Sequence, residues 1–363
     1  MNFRCFYEWD HLPDSSNALF LEGEKDSVFF SREWLENLSE TALKFDQSLL
    51  LACVIEPDLN DENITNVLAI LPLIKHDDNE WTSLNHTYTS LYSLLIINDR
   101  QPEILGCLAH GLSQQPVQRI TLVPNAEDDI NLNELQRLLE SSGFTSNRYL
   151  QFSNWYHELE GDSFAEYMAG RPSKLRNTIR RKERKLKREY GYDIRLYTGN
   201  EVAQALPDYY AIYAASWKPK ELYKHVIEGF ISKFASKNWI RLAILYIDNK
   251  PAATQLWFVV NKKASILKLA YDESWKQYSP GSILTQYLME YVIDTDKVEG
   301  IDFLTGNDRY KQDWMTKHRL RWRVVFTRDD ELVNTKNLIT NKIRQVIKRF
   351  RNSSLKKPTR HLF

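Results

Sequence analysis

The sequence has 363 residues, of which 43% are hydrophobic and 26% are charged, with only 12 glycines and 12 prolines. This composition supplies packed cores for about two domains and excludes a disordered or fibrous chain. The net charge is zero, but residues 1–170 carry 9 basic and 28 acidic side chains, whereas residues 171–363 carry 39 and 20. We expect the two halves to attract each other and the basic half to hold an anionic ligand.

Cysteine spacing and hydropathy both indicate a cytoplasmic protein. Cys5, Cys53 and Cys107 are far apart and form no metal or redox motif. The longest apolar runs have seven and eight residues, whereas a membrane-spanning helix needs about twenty. The N-terminus shows no secretory signal. We expect a reducing compartment and no bound metal.

The first half alternates helical and strand patterns. The helix near residues 32–44 is expected to begin after Ser31 as its N-cap. Residues 49–55 and 67–74 read as two paired strands. The other predicted elements of this half are strand and loop in 1–22, a strand and irregular loop in 81–97, helices at 102–114 and 132–142, and strands at 120–123 and 149–159.

The second half opens with a basic helix and continues with a similar α/β order. Residues 171–188 contain ten Lys or Arg and one acid, Glu183. Turn residues at 248–250 separate two apolar runs and predict a hairpin. The predicted elements are helices at 164–170, 174–190, 202–217, 227–236, 283–293 and 336–351, and strands at 239–247, 251–260, 264–271, 301–304 and 320–327. The order in the two halves indicates a weak internal duplication.

The turn before the helix at 283–293 is a candidate anion site. Ser279 is a favourable N-cap and Pro280 suits the first helical position. The first turn of a helix has unpaired N–H groups and a partial positive charge. Gly281 and Ser282 are expected to leave that end open to a pyrophosphate. An ordinary capped helix is the alternative.

A polar cluster follows the strand at 301–304 and is a candidate catalytic site. Ligands of open α/β sheets bind beyond the carboxyl ends of strands. Lys311 is expected to bind a phosphate or stabilise an oxyanion, Tyr310 to relay a proton, and Asp308 or Asp302 to act as a base. The alternative is that the aspartates are turn and cap residues and that Tyr310 and Trp314 belong to the core.

The basic helix at 174–190 has three interpretations: a solvated or interdomain face, a site for a substrate or cofactor anion, or a nucleic-acid surface. The acidic first half and the zero total charge favour the first two. The sequence contains no phosphate-binding P-loop, no dinucleotide glycine motif, no paired metal histidines and no nucleophile elbow.

These segments resemble the CelD-like acetyltransferases of the GNAT superfamily, relatives of the FemAB-type peptidyltransferases. The resemblance rests on residues 278–284, residues 302–306, the pair Tyr310-Lys311, Trp314 and the basic stretch at 174–181. It covers about residues 160–325, and the first half matches only in outline. It implies tandem GNAT-like α/β units with mixed central sheets flanked by helices. The implied domains are residues 1–160, a degenerate unit, residues 161–330, the acyltransferase unit, and residues 331–363, a basic helix and tail.

The resemblance also implies roles for individual residues. Residues 277–282 occupy the place of the turn that holds the coenzyme A pyrophosphate, although only Gly281 matches that motif clearly. The pair Tyr310-Lys311 resembles the aromatic-lysine pair of the FemAB active site. The implied acyl-CoA site comprises Leu269, Tyr271, Tyr278, Ser279, Gly281 and Ser282. The implied substrate-binding residues are Arg176, Arg180, Trp217, Asn307 and Trp314, and the catalytic ones are Asp308, Tyr310 and Lys311.

The resulting hypothesis is an acyltransferase that moves an acyl group, preferably acetyl from acetyl-CoA, to an amine of a sugar or cell-envelope precursor by direct attack. The expected acceptor is a small molecule or lipid-linked sugar, and the basic helices offer contact with the inner membrane surface. Two alternatives remain open. One is FemAB-like transfer from aminoacyl-tRNA, the only nucleic acid expected. The other is a non-catalytic envelope-assembly protein that binds anionic surfaces.

Overall fold

The structure is a computed structural model that describes residues 1–57 and 65–328. Its strands, in chain order, are β1 (Asn2–Phe6), β2 (Ser48–Pro57), β3 (Thr65–Lys75), β4 (Glu80–Ser83), β5 (Leu95–Ile96), β6 (Arg119–Ala126), β7 (Phe144–Glu158), β8 (Asp193–Thr198), β9 (Ile240–Ile247), β10 (Lys250–Val260), β11 (Lys263–Tyr271), β12 (Gly300–Thr305) and β13 (Lys317–Arg328).

The helices flank the sheet formed by these strands. They are α1 (Ser16–Asp26), α2 (Arg32–Thr41), α3 (Gln101–Ser113), α4 (Ile130–Ser141), α5 (Phe164–Ala169), α6 (Ser173–Glu189), α7 (Val202–Ala214), α8 (Lys224–Ala235), α9 (Pro280–Glu290) and α10 (Arg309–Trp314). The mixed α/β class predicted from the sequence is confirmed. The hairpin of β9 and β10 is also confirmed, with Asp248 and Asn249 both at positive φ as a type I′ turn requires.

One mixed sheet of 13 strands runs through both halves, in the order β1-β2-β3-β4-β6-β13-β7-β12-β11-β10-β9-β8, with β5 beside β3. Each half contributes one parallel pair, β4 with β6 and β11 with β12, joined by the helices α3 and α9. The last strand of each half pairs with the other half: β7 lies beside β12, and β13 lies beside β6. The two units therefore share a continuous sheet through a reciprocal exchange of strands.

The largest core lies where helices of the two halves meet over the sheet. Trp34 of α2 is fully buried and stacks on Phe230 of α8 at a centroid distance of 5.7 Å. Phe258 of β10 packs edge-on against Trp34 at 6.0 Å. Ser31 caps α2 by accepting from the amide of Trp34, as the sequence predicts. The apolar face of α2 is thus a direct contact between the halves.

Charge complementarity between the halves is also confirmed, on the edge of this core. Lys233 of α8 lies 3.3 Å from Glu36 and 2.9 Å from Glu40, and Lys237 lies 2.5 Å from Glu33. These pairs are partly exposed, so each contributes little to the free energy of unfolding. They favour the observed alignment of α8 against α2 over other alignments.

One predicted assignment is wrong, one strand was not predicted, and one predicted helix lies outside the described residues. Residues 16–22, expected as strand and loop, begin α1, which buries only Ser16, Leu19 and Phe20 and so gives a weak helical pattern. The strand β8 was not predicted, because it is a short edge strand with no fully buried residue. The amphipathic helix at 336–351, and with it the segment 331–363, lies outside the residues that the structure describes.

Candidate active site

The candidate active site is a cleft that opens where two parallel strands separate. β11 and β12 pair over only three positions, from Lys263 with Gly300 to Ser265 with Asp302. Beyond Ser265 the strands diverge around a cleft of about 260 Å³, lined by residues 266–269 of β11 and 303–305 of β12. Because this edge of β11 has no strand partner, its backbone N–H and C=O groups are available to an extended ligand.

A buried ion pair forms one wall of the cleft. Nζ of Lys268 lies 2.7 Å from Oε2 of Glu221, and both side chains are less than a tenth exposed. The hydroxyl of Tyr88, from the first half of the chain, donates to the same carboxylate, and Lys268 lies 3.9 Å from the Tyr88 ring centroid. Burial alone would raise the pKa of Glu221, but the hydrogen bonds from Lys268 and Tyr88 outweigh it and lower that pKa. Burial lowers the pKa of Lys268.

A second lysine, Lys218, titrates close to neutral pH. Burial and then the positive charge of Lys268 lower its pKa to about 8, against the attraction of Glu221. Its ammonium group lies near the rings of Tyr213 and Trp217, at 5.6 and 5.8 Å from their centroids. At this pKa a minor fraction of Lys218 is neutral near pH 7, and that fraction is able to accept a proton.

The third lysine, Lys311, shapes the turn after β12. Its side chain is buried, and Nζ donates to the carbonyl oxygens of Phe303 at 2.8 Å and Thr305 at 2.6 Å. Burial lowers the pKa of Lys311, against the attraction of Asp308, whose carboxylate lies 4.0 Å away. Two of its three donors are thus used by the backbone, which leaves one for a ligand.

Five of the residues predicted for the site line this cleft, namely Leu269, Trp217, Asp308, Tyr310 and Lys311. Tyr310 is 44% exposed, and burial of its hydroxyl region together with the charge of Asp308 raises its pKa, so it remains a proton donor at neutral pH. Tyr271 packs on Trp217 with a centroid distance of 4.4 Å. Asn307 lies beside the cluster, where its side-chain oxygen accepts from the indole of Trp155 at 2.8 Å.

The predicted phosphate turn differs from expectation. Ser279 does not cap α9 through its side chain; it adopts a left-handed conformation with φ 55°. Gly281 is buried, and a Cβ atom there would lie 3.3 Å from Cδ1 of Tyr271. Tyr278 is also buried and donates to Glu189 of α6 at 2.7 Å. The amide of Ser282 donates to Ser279 at 3.0 Å. The turn is therefore covered rather than open.

Asp302 is not available as a base, which corrects one expected alternative. Its carboxylate accepts from Asn154 at 2.5 Å, from the amide of Leu304 at 2.6 Å and from Arg319 at 2.7 Å. Both carboxyl oxygens are engaged by donors, and the group braces the end of β12. Asp308, whose side chain is 66% exposed, is the freer of the two acids.

Three of the residues predicted to bind substrate lie away from the cleft. Trp314 is only 2% exposed, and its carbonyl oxygen accepts from Tyr167 and Arg171, so its position is in the core. Arg176 and Arg180 lie on α6, which packs against α9 and the turn before it. Neither arginine lines the cleft. The basic face of α6 therefore belongs to a different surface.

Sequence reasoning missed Glu221, Lys268, Tyr88 and Lys218. Only Lys268 could have been noticed in the sequence, because it places a charge within the apolar run of β11. Glu221 and Lys218 lie in the connection between α7 and α8, and Tyr88 lies in the loop between β4 and β5. Loop residues carry no periodicity, so only the fold reveals that these side chains meet.

Comparison with known proteins finds a family match over part of the chain. Residues 173–312 match the family described as acetyltransferase (GNAT) domain. Comparison with curated proteins finds no match. Among solved structures, FemX is similar with a TM-score of 0.63 at 10% identity, covering 92% of this chain and 99% of FemX. The family match covers residues 173–312 and supports a GNAT domain in the second half of the chain.

Two further structures share the fold over most of both chains. One is the C-terminal domain (DUF2156) of an Agrobacterium fabrum protein named for lysylphosphatidylglycerol synthesis, with a TM-score of 0.51 at 12% identity, covering 85% of this chain and 92% of that one. The other is a conserved protein from Bacteroides thetaiotaomicron, with a TM-score of 0.52 at 9% identity, covering 87% and 93%. At such low identity the likeness concerns the fold alone.

Within residues 1–57 and 65–328, no helix combines the length and apolarity needed to cross a membrane. Over the same residues, no three His, Cys, Asp or Glu side chains are grouped so as to hold a metal ion.

Proposed function

We propose that this protein is an acyltransferase that moves an acyl group from acyl-CoA, preferably acetyl-CoA, to an amine. The observation that carries the proposal is the divergence of β11 and β12 after Ser265, which opens a cleft inside the GNAT domain. The free edge of β11 offers backbone partners to an extended donor arm, and one N–H of that edge would polarise the acyl carbonyl. Lys218, Lys268 and Lys311 line the same cleft and would surround the thioester of the bound donor.

The chemistry requires that a proton leave the attacking amine and that the leaving thiolate gain one. In our proposal Lys218, with a pKa of about 8, takes the proton from the amine. Tyr310, whose pKa is raised, donates to the thiolate. The free donor of Lys311 stabilises the oxyanion, and the pair of Lys268 and Glu221 fixes the wall against which the acyl group lies.

The acceptor that we propose is an amine on a sugar or cell-envelope precursor, either a small molecule or lipid-linked. While Lys218 is protonated, the cleft holds three cations, Lys218, Lys268 and Lys311, against Glu221 and Asp308, and this excess favours the approach of an acceptor that also carries negative charge. Reaction at the cytoplasmic side of the inner membrane would suit such a precursor. The exposed basic face of α6 is the surface that we propose for contact with anionic lipids.

One observation favours a second candidate, transfer from aminoacyl-tRNA as in FemAB-type enzymes. The turn at Gly281 is covered by Tyr271 and bordered by the buried Tyr278. In this conformation the turn leaves little room for a pyrophosphate. Lys182 and Lys185 of α6 lie beside it, and Lys182 donates to the carbonyl of Gln277. A nucleic-acid backbone would then bind along α6.

The donor is tested by equilibrium titration of the full chain with acetyl-CoA and, separately, with aminoacyl-tRNA. If acyl-CoA is the donor, acetyl-CoA binds and Lys311→Met weakens its binding. The matched control is Lys297→Met, an exposed lysine that does not line the cleft. Binding of aminoacyl-tRNA alone would replace the first candidate by the second. Binding of neither donor would contradict both and leave the envelope-assembly alternative.

A further inference from the structure

A second cleft of about 270 Å³ lies near the beginning of β12, on the face that meets the first half of the chain. Its walls include Phe29 and residues 90–91 from the first half, and Phe258, Ser265 and Leu304 from the second. Leu304 lines both this cleft and the candidate active site. None of the proposed catalytic side chains reaches it, so its function is separate from theirs.

Arg321 of β13 is the unusual side chain of this second cleft. It is 3% exposed, and the structure records a single hydrogen bond for its guanidinium, from Nε to the carbonyl oxygen of Ser90 at 3.2 Å. Among the described residues no carboxylate lies within 4.0 Å of it. Burial, and then the charge of Arg319, lower the pKa of Arg321 to about 10. A buried cation without a partner destabilises the folded state, so its retention calls for a physical explanation.

Four of the five carboxylates that line this cleft already have other partners. Asp302 pairs with Arg319 at 2.7 Å, and Glu299 pairs with Lys262 at 2.7 Å. Glu158 pairs with Lys317, and Glu24 lies 3.6 Å from Lys237. Asp26 is exposed at the rim, where the ammonium of Lys263 donates to its backbone carbonyl oxygen. The guanidinium of Arg321 is left buried without a carboxylate in contact, with four of its five N–H donors unused, and the charges of Asp302 and Asp128 act on it only from beyond 4.0 Å.

We propose that the second cleft binds an oxyanion, a carboxylate or a phosphate, carried on an apolar body. The planar fork of Arg321 would donate two parallel hydrogen bonds to two oxygens of the anion. The rings of Phe29 and Phe258 and the side chains of Leu91 and Leu304 would contact the apolar body. The proposal rests on Arg321 and the shape of the cleft, and it stands independently of the acyl transfer proposed above.

Calorimetric titration of the full chain with hexanoate, hexyl phosphate and hexanol tests this proposal. We expect one or both anions to bind the unmodified chain and hexanol, which has the same apolar body, to bind far more weakly. The relative affinity of the two anions then identifies the head group. Arg321→Met should weaken anion binding by about tenfold or more, because it removes a charged, bidentate contact.

Two variants separate a binding role of Arg321 from a structural one. Arg323→Met removes the same charge from the same strand but at an exposed position, and should leave binding unchanged. Ser265→Phe keeps Arg321 and fills the cleft, and should abolish binding even if Arg321→Met fails to fold. We also expect Arg321→Met to raise Tm in the absence of anion. Failure of both anions to bind the unmodified chain, or equal binding by the Ser265→Phe variant, would overturn the proposal.

Discussion

The buried pair of Lys268 and Glu221 is the residue-scale feature on which the candidate active site depends. Glu221→Gln would leave the ammonium of Lys268 buried without its counter-charge, so we expect the free energy of unfolding to fall by about 3 kcal/mol. Urea denaturation measures this change. The control is Glu299→Gln, whose pair with Lys262 has the same 2.7 Å distance but is about two-thirds exposed. That substitution should cost less than about 1 kcal/mol.

Equal losses of the free energy of unfolding in Glu221→Gln and Glu299→Gln would contradict this prediction, because burial would then make no difference to the contribution of the two ion pairs. The double substitution of Glu221→Leu with Lys268→Met adds a second check. Because it removes both charges together, it should be less destabilising than Glu221→Gln alone.

Lys218 sets the expected pH dependence of the reaction. A base with a pKa of about 8 is protonated and inactive below that value, so the rate of acyl transfer should rise with pH and level off above about 8. Lys218→Met should remove this rise and lower the rate near the plateau by about 10²-fold or more. The exposed neighbour Lys220 offers the matched control, Lys220→Met. A pH–rate profile unchanged in Lys218→Met would exclude Lys218 as the base.

At this scale the sequence indicated part of the lining of the candidate site but not the contacts made there. Tyr310, Lys311 and Asp308 could be proposed because they follow a predicted strand end, where ligands of α/β sheets bind. The burial of Lys311 against two carbonyl oxygens could not be foreseen, because it depends on the left-handed φ of Leu304 and Gly306 in the following turn. Tyr88 meets Glu221 across 133 residues of chain, a contact that no local pattern encodes.

At the scale of elements, the packing of α2 on α8 depends on one small residue. A Cβ atom at Gly229 of α8 would lie 2.0 Å from Oδ1 of Asn37, whose amide nitrogen donates to the carbonyl of Val226 at 3.0 Å. Gly229→Ala should therefore push the helices apart and destabilise the fold by about 1–3 kcal/mol. At Gly106 of α3, an added Cβ atom would meet no neighbouring atom within 4 Å. Gly106→Ala should therefore stabilise the fold by about 0.5–1 kcal/mol.

Thermal or urea unfolding of both variants tests these predictions. The two variants make the same glycine-to-alanine change on different helices, so a difference in their stability reflects the surroundings of each glycine. A stabilising Gly229→Ala would mean that α2 and α8 are not packed as closely as described.

Elements with strong periodicity or distinctive turns could be predicted, and weakly patterned ones could not. The strands β2 and β3 are nearly continuous apolar runs, and the turn between β9 and β10 has residues that favour positive φ. By contrast β8 is an edge strand whose side chains are all partly exposed. The prediction that Ser279 caps α9 with its side chain was also wrong. The chain reaches α9 from a 3-10 turn, and Ser279 follows that turn in a left-handed conformation.

At the scale of the molecule, the exchange of β7 and β13 makes the two halves interdependent. In a fragment of residues 1–160, β7 would lack both of its sheet neighbours, β12 and β13. We expect that fragment to remain unfolded alone and to form a 1:1 folded complex when co-expressed with residues 161–363. Circular dichroism and size-exclusion chromatography distinguish these states. A monomeric 1–160 fragment that unfolds cooperatively would show that the predicted boundary separates autonomous domains.

The fold class and the attraction between the halves were predictable from composition, periodicity and charge. The strand exchange was not, because pairing between β7 and β12 joins segments about 150 residues apart and leaves no mark on local sequence. The cleft at the divergence of β11 and β12 follows from this architecture, since β12 is held on its other side by β7.

In our proposal the acyl donor binds along the free edge of β11. Hydrogen–deuterium exchange of the full chain, with and without a bound donor, tests it at the backbone amides involved. We predict slower exchange at residues 266–269 and at 303–311 when the donor is bound, because donor atoms would occupy N–H groups that now lack a strand partner. Saturating donor that leaves these amides unchanged and protects another region would contradict the account.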